Sequence, residues 1–108
     1  MSEIVRRVPF PFDGGKFPSE LGAVVQRTVL SGEFPVLVVI HDDDDDWLIG
    51  DAVTDASDPE VLLISHVRHL VERDPSIEET ADLPRGYAAR RVSPSAPWTI
   101  ERWSYEDE

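Results

Sequence analysis

The chain of 108 residues carries 22 Asp and Glu against 10 Lys and Arg, which gives a formal net charge of −12 at neutral pH. Phosphate backbones and anionic membrane surfaces attract clustered Lys and Arg, so this charge argues against nucleic acids and membranes as partners. Because the sequence contains no cysteine, a disulfide framework, a thiolate zinc site and a cysteine nucleophile are excluded.

The length is typical of one domain with a single hydrophobic core, so we expect residues 1–108 to form one domain. No apolar run is long enough to span a bilayer or to serve as a signal peptide, which predicts a cytoplasmic protein. Nearly all the basic residues are Arg, with Lys16 as the one exception. This bias is typical of GC-rich bacterial genomes and indicates a bacterial source.

The first 20 residues predict a short strand followed by a loop. Residues 4–8 are rich in β-branched side chains, which favour a strand. The prolines and glycines at 9–20 then predict irregular structure. Within this loop, Phe10, Phe12 and Phe17 are expected to pack against the core, since three Phe so close together more often cover apolar surface than bind a ligand.

The clearest element is an apolar run at 36–40 that is rich in β-branched residues and follows a turn signal at 31–33. Such a run is typical of a central strand buried on both faces. His41 and five consecutive aspartates follow it, and a second apolar run occupies 47–50, so the sequence predicts a hairpin with an acidic loop. Upstream, the Val and Thr content of residues 22–30 favours a strand, with a short helix as the alternative.

A helix is predicted over residues 59–73, because Asp58 followed by Pro59 is a typical helix start. Its apolar stripe contains five residues: Leu63, Ile64, Val67, Leu70 and Val71. The Asp-Pro pair at 74–75 is expected to end this helix, since the residue before proline is pushed out of the helical region.

Beyond the helix, residues 77–83 allow one more helical turn, and residues 86–92 and 97–103 predict a final hairpin. The acidic tail at 104–108 is expected to fray. Strands at both ends of the chain with one strong helix between them predict an α+β fold. We expect an antiparallel or mixed sheet of four to six strands, with one main helix packed on one face.

A divalent metal site is one hypothesis for the histidines and aspartates, because hard cations bind carboxylate oxygens. Consecutive aspartates alternate in direction, however, and their spacing does not match a calcium loop. His66 and His69 are three residues apart on the predicted helix and could share a face. Together with His41 and the acidic loop they would form a metal binder or a metal-dependent hydrolase.

No catalytic residue and no cofactor are predicted, since the sequence lacks the GxSxG, GxGxxG and GxxxxGK[ST] motifs.

The segregation of charge along the chain says more about function than these motifs do. Residues 41–60 contain nine acids and no basic residue, whereas residues 85–102 contain four Arg and one acid. Either the arginines neutralise the acidic loop around core tryptophans, or the two regions form a protein-binding surface rich in Trp and Arg. The candidate binding residues are Asp42, Asp43, Asp44, Asp45, Asp46, Trp47, Arg90, Arg91 and Trp98.

Three segments resemble a family of small bacterial domains that are similar to immunity proteins, some of which occur beside secreted toxins. They are PVLVVIH with the acidic loop and Trp at 35–47, HVRHLVERDPSI at 66–77, and LPRGYAARR at 83–91 followed by Pro-Trp. These motifs are structural, so the resemblance implies a binding domain and no catalytic residues. An immunity-type inhibitor or regulator that binds a basic protein is therefore the leading hypothesis. A homodimer formed through an exposed edge strand is a third.

Overall fold

The structure, a computed structural model, describes residues 16–18, 21–43, 46–51 and 62–103. Within these residues the chain forms six strands, two short α helices and one 3₁₀ helix. In chain order they are β1 (Gly22–Gln26), α1 (Arg27–Leu30), β2 (Val38–His41), β3 (Trp47–Gly50), β4 (Leu62–His66), α2 (Val67–Arg73), the 3₁₀ helix (Pro75–Thr80), β5 (Tyr87–Arg90) and β6 (Thr99–Arg102).

The six strands form one mixed sheet in the order β4-β1-β3-β2-β5-β6. β1 runs parallel to β3, and all other neighbours are antiparallel. The predicted α+β class and mixed sheet are therefore confirmed. The central strand is also confirmed, because β2 lies between β3 and β5 and all four of its residues are buried. The predicted hairpin of β2 and β3 is present, with His41 opposite Trp47.

The main hydrophobic core lies between one face of the sheet and the helical segments. Alternate strand residues such as Val25, Val39 and Ile49 meet Val67 and Leu70 of α2 in this core, as the two-residue period of a strand requires. A smaller cluster on the other face contains Val38, Ile40 and Ala88, with Leu48 and Trp103 packed against it.

The predicted helix over 59–73 is wrong at residues 62–66. Leu62–His66 forms edge strand β4, which pairs along its whole length with β1, and within the described residues 62–73 the helix covers Val67–Arg73. A short apolar run does not distinguish a strand from a helix by period alone, and backbone pairing with β1 decides in favour of the strand. Ile64, expected in the apolar stripe, is 68% exposed.

The other boundaries follow the local sequence signals. α2 ends at Arg73, as predicted from the Asp-Pro pair, and the 3₁₀ helix begins with the Asp74 side chain accepting the backbone N–H of Ser76. Residues 22–30 combine both alternatives, since the strand β1 leads directly into α1.

The predicted C-terminal hairpin is confirmed, with β5 and β6 antiparallel. Phe17 is 3% exposed, which confirms that it packs in the core. The predicted strand at 4–8, Phe10, Phe12, the helix start at 58–59 and the tail at 104–108 lie outside the described residues. In the described part of the chain, no helix is long and apolar enough to cross a membrane.

Candidate functional site

Two buried polar side chains anchor the two ends of strand β2. His41 is the last residue of the strand. At the other end, the Arg91 Nε donates to the carbonyl oxygen of Val36, at 3.0 Å, just before the strand begins. These two contacts define a histidine end and an arginine end of the sheet, and the predicted site residues divide between them.

At the histidine end, the His41 ring is completely buried and stacks on the ring of Trp47, with centroids 3.9 Å apart and planes 11° apart. His41 Nδ1 lies 2.6 Å from the carbonyl oxygen of Leu83. Because a carbonyl only accepts hydrogen bonds, this nitrogen carries the proton and donates it. The backbone N–H of Gly86 in turn donates to the His41 carbonyl oxygen at 2.7 Å. His41 therefore ties the acidic loop to residues 83–86.

The acidic loop is closed by its own first and last aspartates. The Asp42 N–H donates to the Asp46 carbonyl oxygen at 2.9 Å, and the Asp46 N–H donates to Asp42 Oδ1, also at 2.9 Å. Asp42 is 4% exposed, so its carboxylate holds the loop together, whereas Asp43 is exposed. Asp44 and Asp45 lie outside the described residues.

The backbone of residue 86 favours glycine, and the Asp43 side chain lies close to it. Gly86 has φ of +82°, which L side chains rarely adopt, and Asp43 Oδ1 lies 2.7 Å from the position that a Cβ atom would take. The exposed Asp82 precedes the Leu83 carbonyl that binds His41. Asp43 and Asp82 thus present carboxylates at the same end of the sheet.

The three histidines predicted as metal ligands do not form one site. His66 and His69 are neighbours, with ring centroids 5.5 Å apart. His66 precedes α2 as its N-cap rather than lying within a helix, and it is buried. His41 is three strands away from β4, which corresponds to about 14 Å at the usual strand spacing. Among the described residues, no group of three or more His, Asp or Glu is placed to hold a metal ion.

At the arginine end, Arg91 bonds to three segments of the chain. Its side chain is 1% exposed and pairs with Asp74 through Nη2 and Oδ2, at 2.8 Å. Nη1 donates to Ser76 Oγ at 2.7 Å and to the Pro94 carbonyl oxygen at 3.0 Å. Together with the Val36 contact, these bonds connect the start of β2 to the 3₁₀ helix and to the β5–β6 loop.

An aromatic ring and a carboxylate complete the arginine end. The Arg91 guanidinium lies 4.1 Å from the ring centre of Trp98, and Trp98 Nε1 donates to the Ser76 carbonyl oxygen at 3.2 Å. Burial raises the pKa of Asp74, but hydrogen bonds from Ser76 and Arg91 and the charge of Arg91 outweigh it and hold the pKa below its usual value.

The predicted binding residues therefore do not form one surface. Trp47 is 2% exposed and belongs to the core. Arg90 pairs with Glu101 at 2.6 Å, and Arg91 pairs with Asp74. These two arginines neutralise acids outside the acidic loop. They therefore do not neutralise the loop itself, which was one of the two alternatives from the sequence.

Sequence reasoning missed a cleft of about 510 Å³ at the arginine end. Its apolar lining includes Val29, Val36, Leu70 and Ile77, and Phe34 on its edge is 44% exposed. The nearby Arg73 Nη2 donates to the carbonyl oxygens of Val29 and Leu30, at 3.0 Å each. No sequence signal could have located this cleft, because its residues come from separate segments of the chain.

No family model, no curated protein and no solved structure matches this chain. The resemblance to immunity-like domains therefore stays a prediction. The function must be argued from the geometry and the charge.

Proposed function

We propose that this chain is a non-enzymatic, acidic protein-binding domain, and that the acidic loop is the part that meets a basic partner. The observation that carries this proposal is the closure of the loop on itself. Asp42 supplies its carboxylate to the Asp46 N–H, while Asp43 remains exposed. The loop is thus fixed by one buried aspartate and presents negative charge outward.

The charges elsewhere in the chain support the same surface. Arg90 and Arg91 are paired with Glu101 and Asp74, so these ion pairs neutralise their positive charge outside the acidic loop. The formal charge of −12 attracts a basic protein over a distance and accelerates encounter. Because Asp42 and Asp46 are already held together by two hydrogen bonds, they lose less conformational entropy when the loop binds.

The partner class we propose is a toxin with a basic cleft, such as a nuclease. Binding of the acidic loop in that cleft would block the activity of the toxin. The support for this class is the immunity-like resemblance at 35–47, 66–77 and 83–91, together with the acidic charge. A cleft that binds a phosphate backbone is lined with Lys and Arg, and an acidic protein can compete for it.

The test removes three charges from the loop without breaking its closure. Asp43, Asp44 and Asp45 are replaced by Asn, and Asp42 and Asp46 are kept. The matched control replaces the acids Glu33, Glu72 and Glu79 by Gln, which changes the net charge equally at positions outside the loop. A partner is captured from the source cell at low salt and purified, and its association rate is measured by stopped flow.

We expect the loop variant to associate about tenfold more slowly, with a weaker dependence on salt, while the control stays near the parent. Circular dichroism must show that all three proteins are folded. Equal association rates for the loop variant and the control would contradict the proposal, and so would failure to recover any partner at low salt.

A further inference from the structure

Strand β6 is an exposed edge of the sheet. β5 is its one neighbour in the described sheet, and all four residues of Thr99–Arg102 are exposed. Ile100 in its middle is an exposed apolar residue, with 52% of its surface accessible. Exposed edges of this kind can pair with another strand, because their outward N–H and C=O groups lack strand partners.

The hydrogen-bond alternation identifies which backbone groups point outward. The Trp103 N–H donates to the Gly86 carbonyl oxygen at 2.8 Å, so the backbone of Trp103 faces β5. Along a strand of an antiparallel ladder, residues whose backbone groups face one side alternate with residues whose groups face the other side. Thr99 and Glu101 therefore direct their backbone groups toward β5, and Ile100 and Arg102 direct theirs toward the open edge.

This edge is also the least acidic part of the chain. Residues 83–103 contain four Arg and the single acid Glu101, which pairs with Arg90 at 2.6 Å. Arg102 lies over the Tyr87 ring, 5.7 Å from its centre. Two copies of a chain with a net charge of −12 could approach here with little local repulsion.

We propose that β6 pairs with β6 of a second copy of this chain, antiparallel across a two-fold axis, with Ile100 opposite Ile100. This register lets the outward groups of both Ile100 residues exchange hydrogen bonds and places two exposed apolar side chains in contact. It also places Thr99 of one copy opposite Glu101 of the other, and Arg102 opposite Trp98.

The symmetric registers beyond Ile100 toward the C-terminus fail on charge, and registers with the axis between two residues fail on hydrogen bonding. Centring the axis on Glu101 puts two glutamates directly opposite each other, and centring it on Arg102 opposes two arginines, both of which are destabilising. An axis between two residues sets outward backbone groups against inward ones, so the hydrogen bonds cannot form. The Ile100 register satisfies both requirements and, unlike an axis on Thr99, brings the two exposed Ile100 side chains into contact.

Salt separates this association from binding to a basic partner. Outside the edge, the two acidic copies repel each other, and the Debye length falls from about 30 Å at 0.01 M salt to about 8 Å at 0.15 M. The dimer should therefore tighten as salt is added, whereas the complex with a basic partner should weaken. Failure of one proposal is thus distinguishable from failure of the other.

The experiment is sedimentation equilibrium of the full chain from about 10 µM to about 1 mM, a range suited to a small interface. Thr99→Lys should lower the dimer dissociation constant by about fivefold, and Thr99→Glu should raise it by about fivefold, because two symmetric contacts with Glu101 change at once. Val92→Lys and Val92→Glu are the matched controls, since Val92 is 91% exposed and lies outside β6.

Folding effects of these substitutions have the opposite sign. Thr99 lies opposite Arg90 within the chain, so Lys should weaken the hairpin and Glu should strengthen it. Tighter association of a less stable variant would therefore report on the contact between copies. If the Thr99 variants change the dimer dissociation constant only as much as the Val92 controls do, the proposed register is overturned.

A backbone test uses Ile100→Pro beside Ile100→Val. The Ile100 N–H points away from β5, so proline at an edge position of this kind should leave the fold intact and remove the bonds between copies. We expect Ile100→Pro to be folded by circular dichroism and monomeric, and Ile100→Val to dimerise like the parent. A parent that stays monomeric at about 1 mM and at high salt would overturn the proposal, as would a dimeric Ile100→Pro.

Discussion

The two ends of strand β2 are held by different physics. At one end, the buried His41 ring stacks on Trp47 and binds the Leu83 carbonyl oxygen. At the other end, the buried guanidinium of Arg91 bonds to three segments of the chain and pairs with Asp74. The histidine end depends on shape and leaves acids exposed around it, whereas the arginine end depends on a buried charge that makes four hydrogen bonds.

The largest effect is expected at the arginine end, from Arg91→Met. Methionine keeps much of the apolar stem but leaves the partly exposed Asp74 without its counter-charge and the carbonyl oxygens of Val36 and Pro94 without this donor. The free energy of unfolding should therefore fall by about 3–4 kcal/mol. Urea denaturation measures this loss. The matched control is Arg90→Met, which breaks the exposed pair with Glu101 and should cost less than about 1 kcal/mol. Equal losses would show that burial of Arg91 does not matter.

At the histidine end, His41→Ala should lower the free energy of unfolding by about 2–4 kcal/mol, because it opens a cavity beside Trp47. His41→Phe restores the stacked ring but leaves the Leu83 carbonyl oxygen without this donor, and should cost about 1–2 kcal/mol. Recovery of most of the stability by Phe, measured by urea denaturation, would confirm that shape dominates this end. A Phe variant no more stable than Ala would contradict it.

The sequence could predict features that depend on neighbouring residues, but not features that depend on contacts between distant segments. The β2–β3 hairpin and the end of α2 follow from local signals, an apolar run before the aspartates and an Asp-Pro pair. Nothing local marks Leu62–His66 as a strand, since its assignment depends on pairing with β1, 40 residues earlier. The Arg91 network has the same property, because Val36, Asp74 and Pro94 are distant from one another in sequence.

The candidate site shows the same division. The acidic character of the loop could be read from five consecutive aspartates. The structural role of Asp42 could not, because it requires the loop to fold back until the Asp46 N–H reaches its carboxylate. The position of Trp47 beside this loop predicts a binding residue, but the alternation of β3 turns its ring into the core.

The Asp74 carboxylate makes the arginine end sensitive to acid. Its pKa in the folded chain is lowered, so its contribution to stability is complete above the unfolded pKa of about 3.9 and is lost as pH falls through the folded value. Asp74→Asn removes this contribution while keeping an oxygen that accepts hydrogen bonds, so its effect should be smaller than that of Arg91→Met.

Urea denaturation at several pH values tests whether the contribution of Asp74 to stability falls as the pH falls. The difference in unfolding free energy between the parent and Asp74→Asn should be constant above about pH 5 and should shrink below it. Glu33→Gln, which alters an exposed carboxylate, is the control and should not reproduce this pattern. A difference that grows as the pH falls would contradict the assignment of Asp74.

The smallest effect is expected at the acidic loop. Replacing Asp43, Asp44 and Asp45 by Asn should raise the melting temperature slightly at low ionic strength, because repulsion between adjacent carboxylates is relieved. The gain in the free energy of unfolding should be about 0.5 kcal/mol and should fade as salt screens the charges. Asp42→Ala should instead lower stability by about 1 kcal/mol, because the Asp46 N–H loses its acceptor.

These two variants separate charge from structure within one loop. If the tract binds a divalent cation, the parent should gain stability with calcium or magnesium and the triple variant should lose that gain. A triple variant that melts below the parent in metal-free buffer would contradict the prediction, because the central carboxylates would then stabilise the fold. With the expected result, the charge of the tract is kept at a small cost in stability, as a surface selected for binding requires.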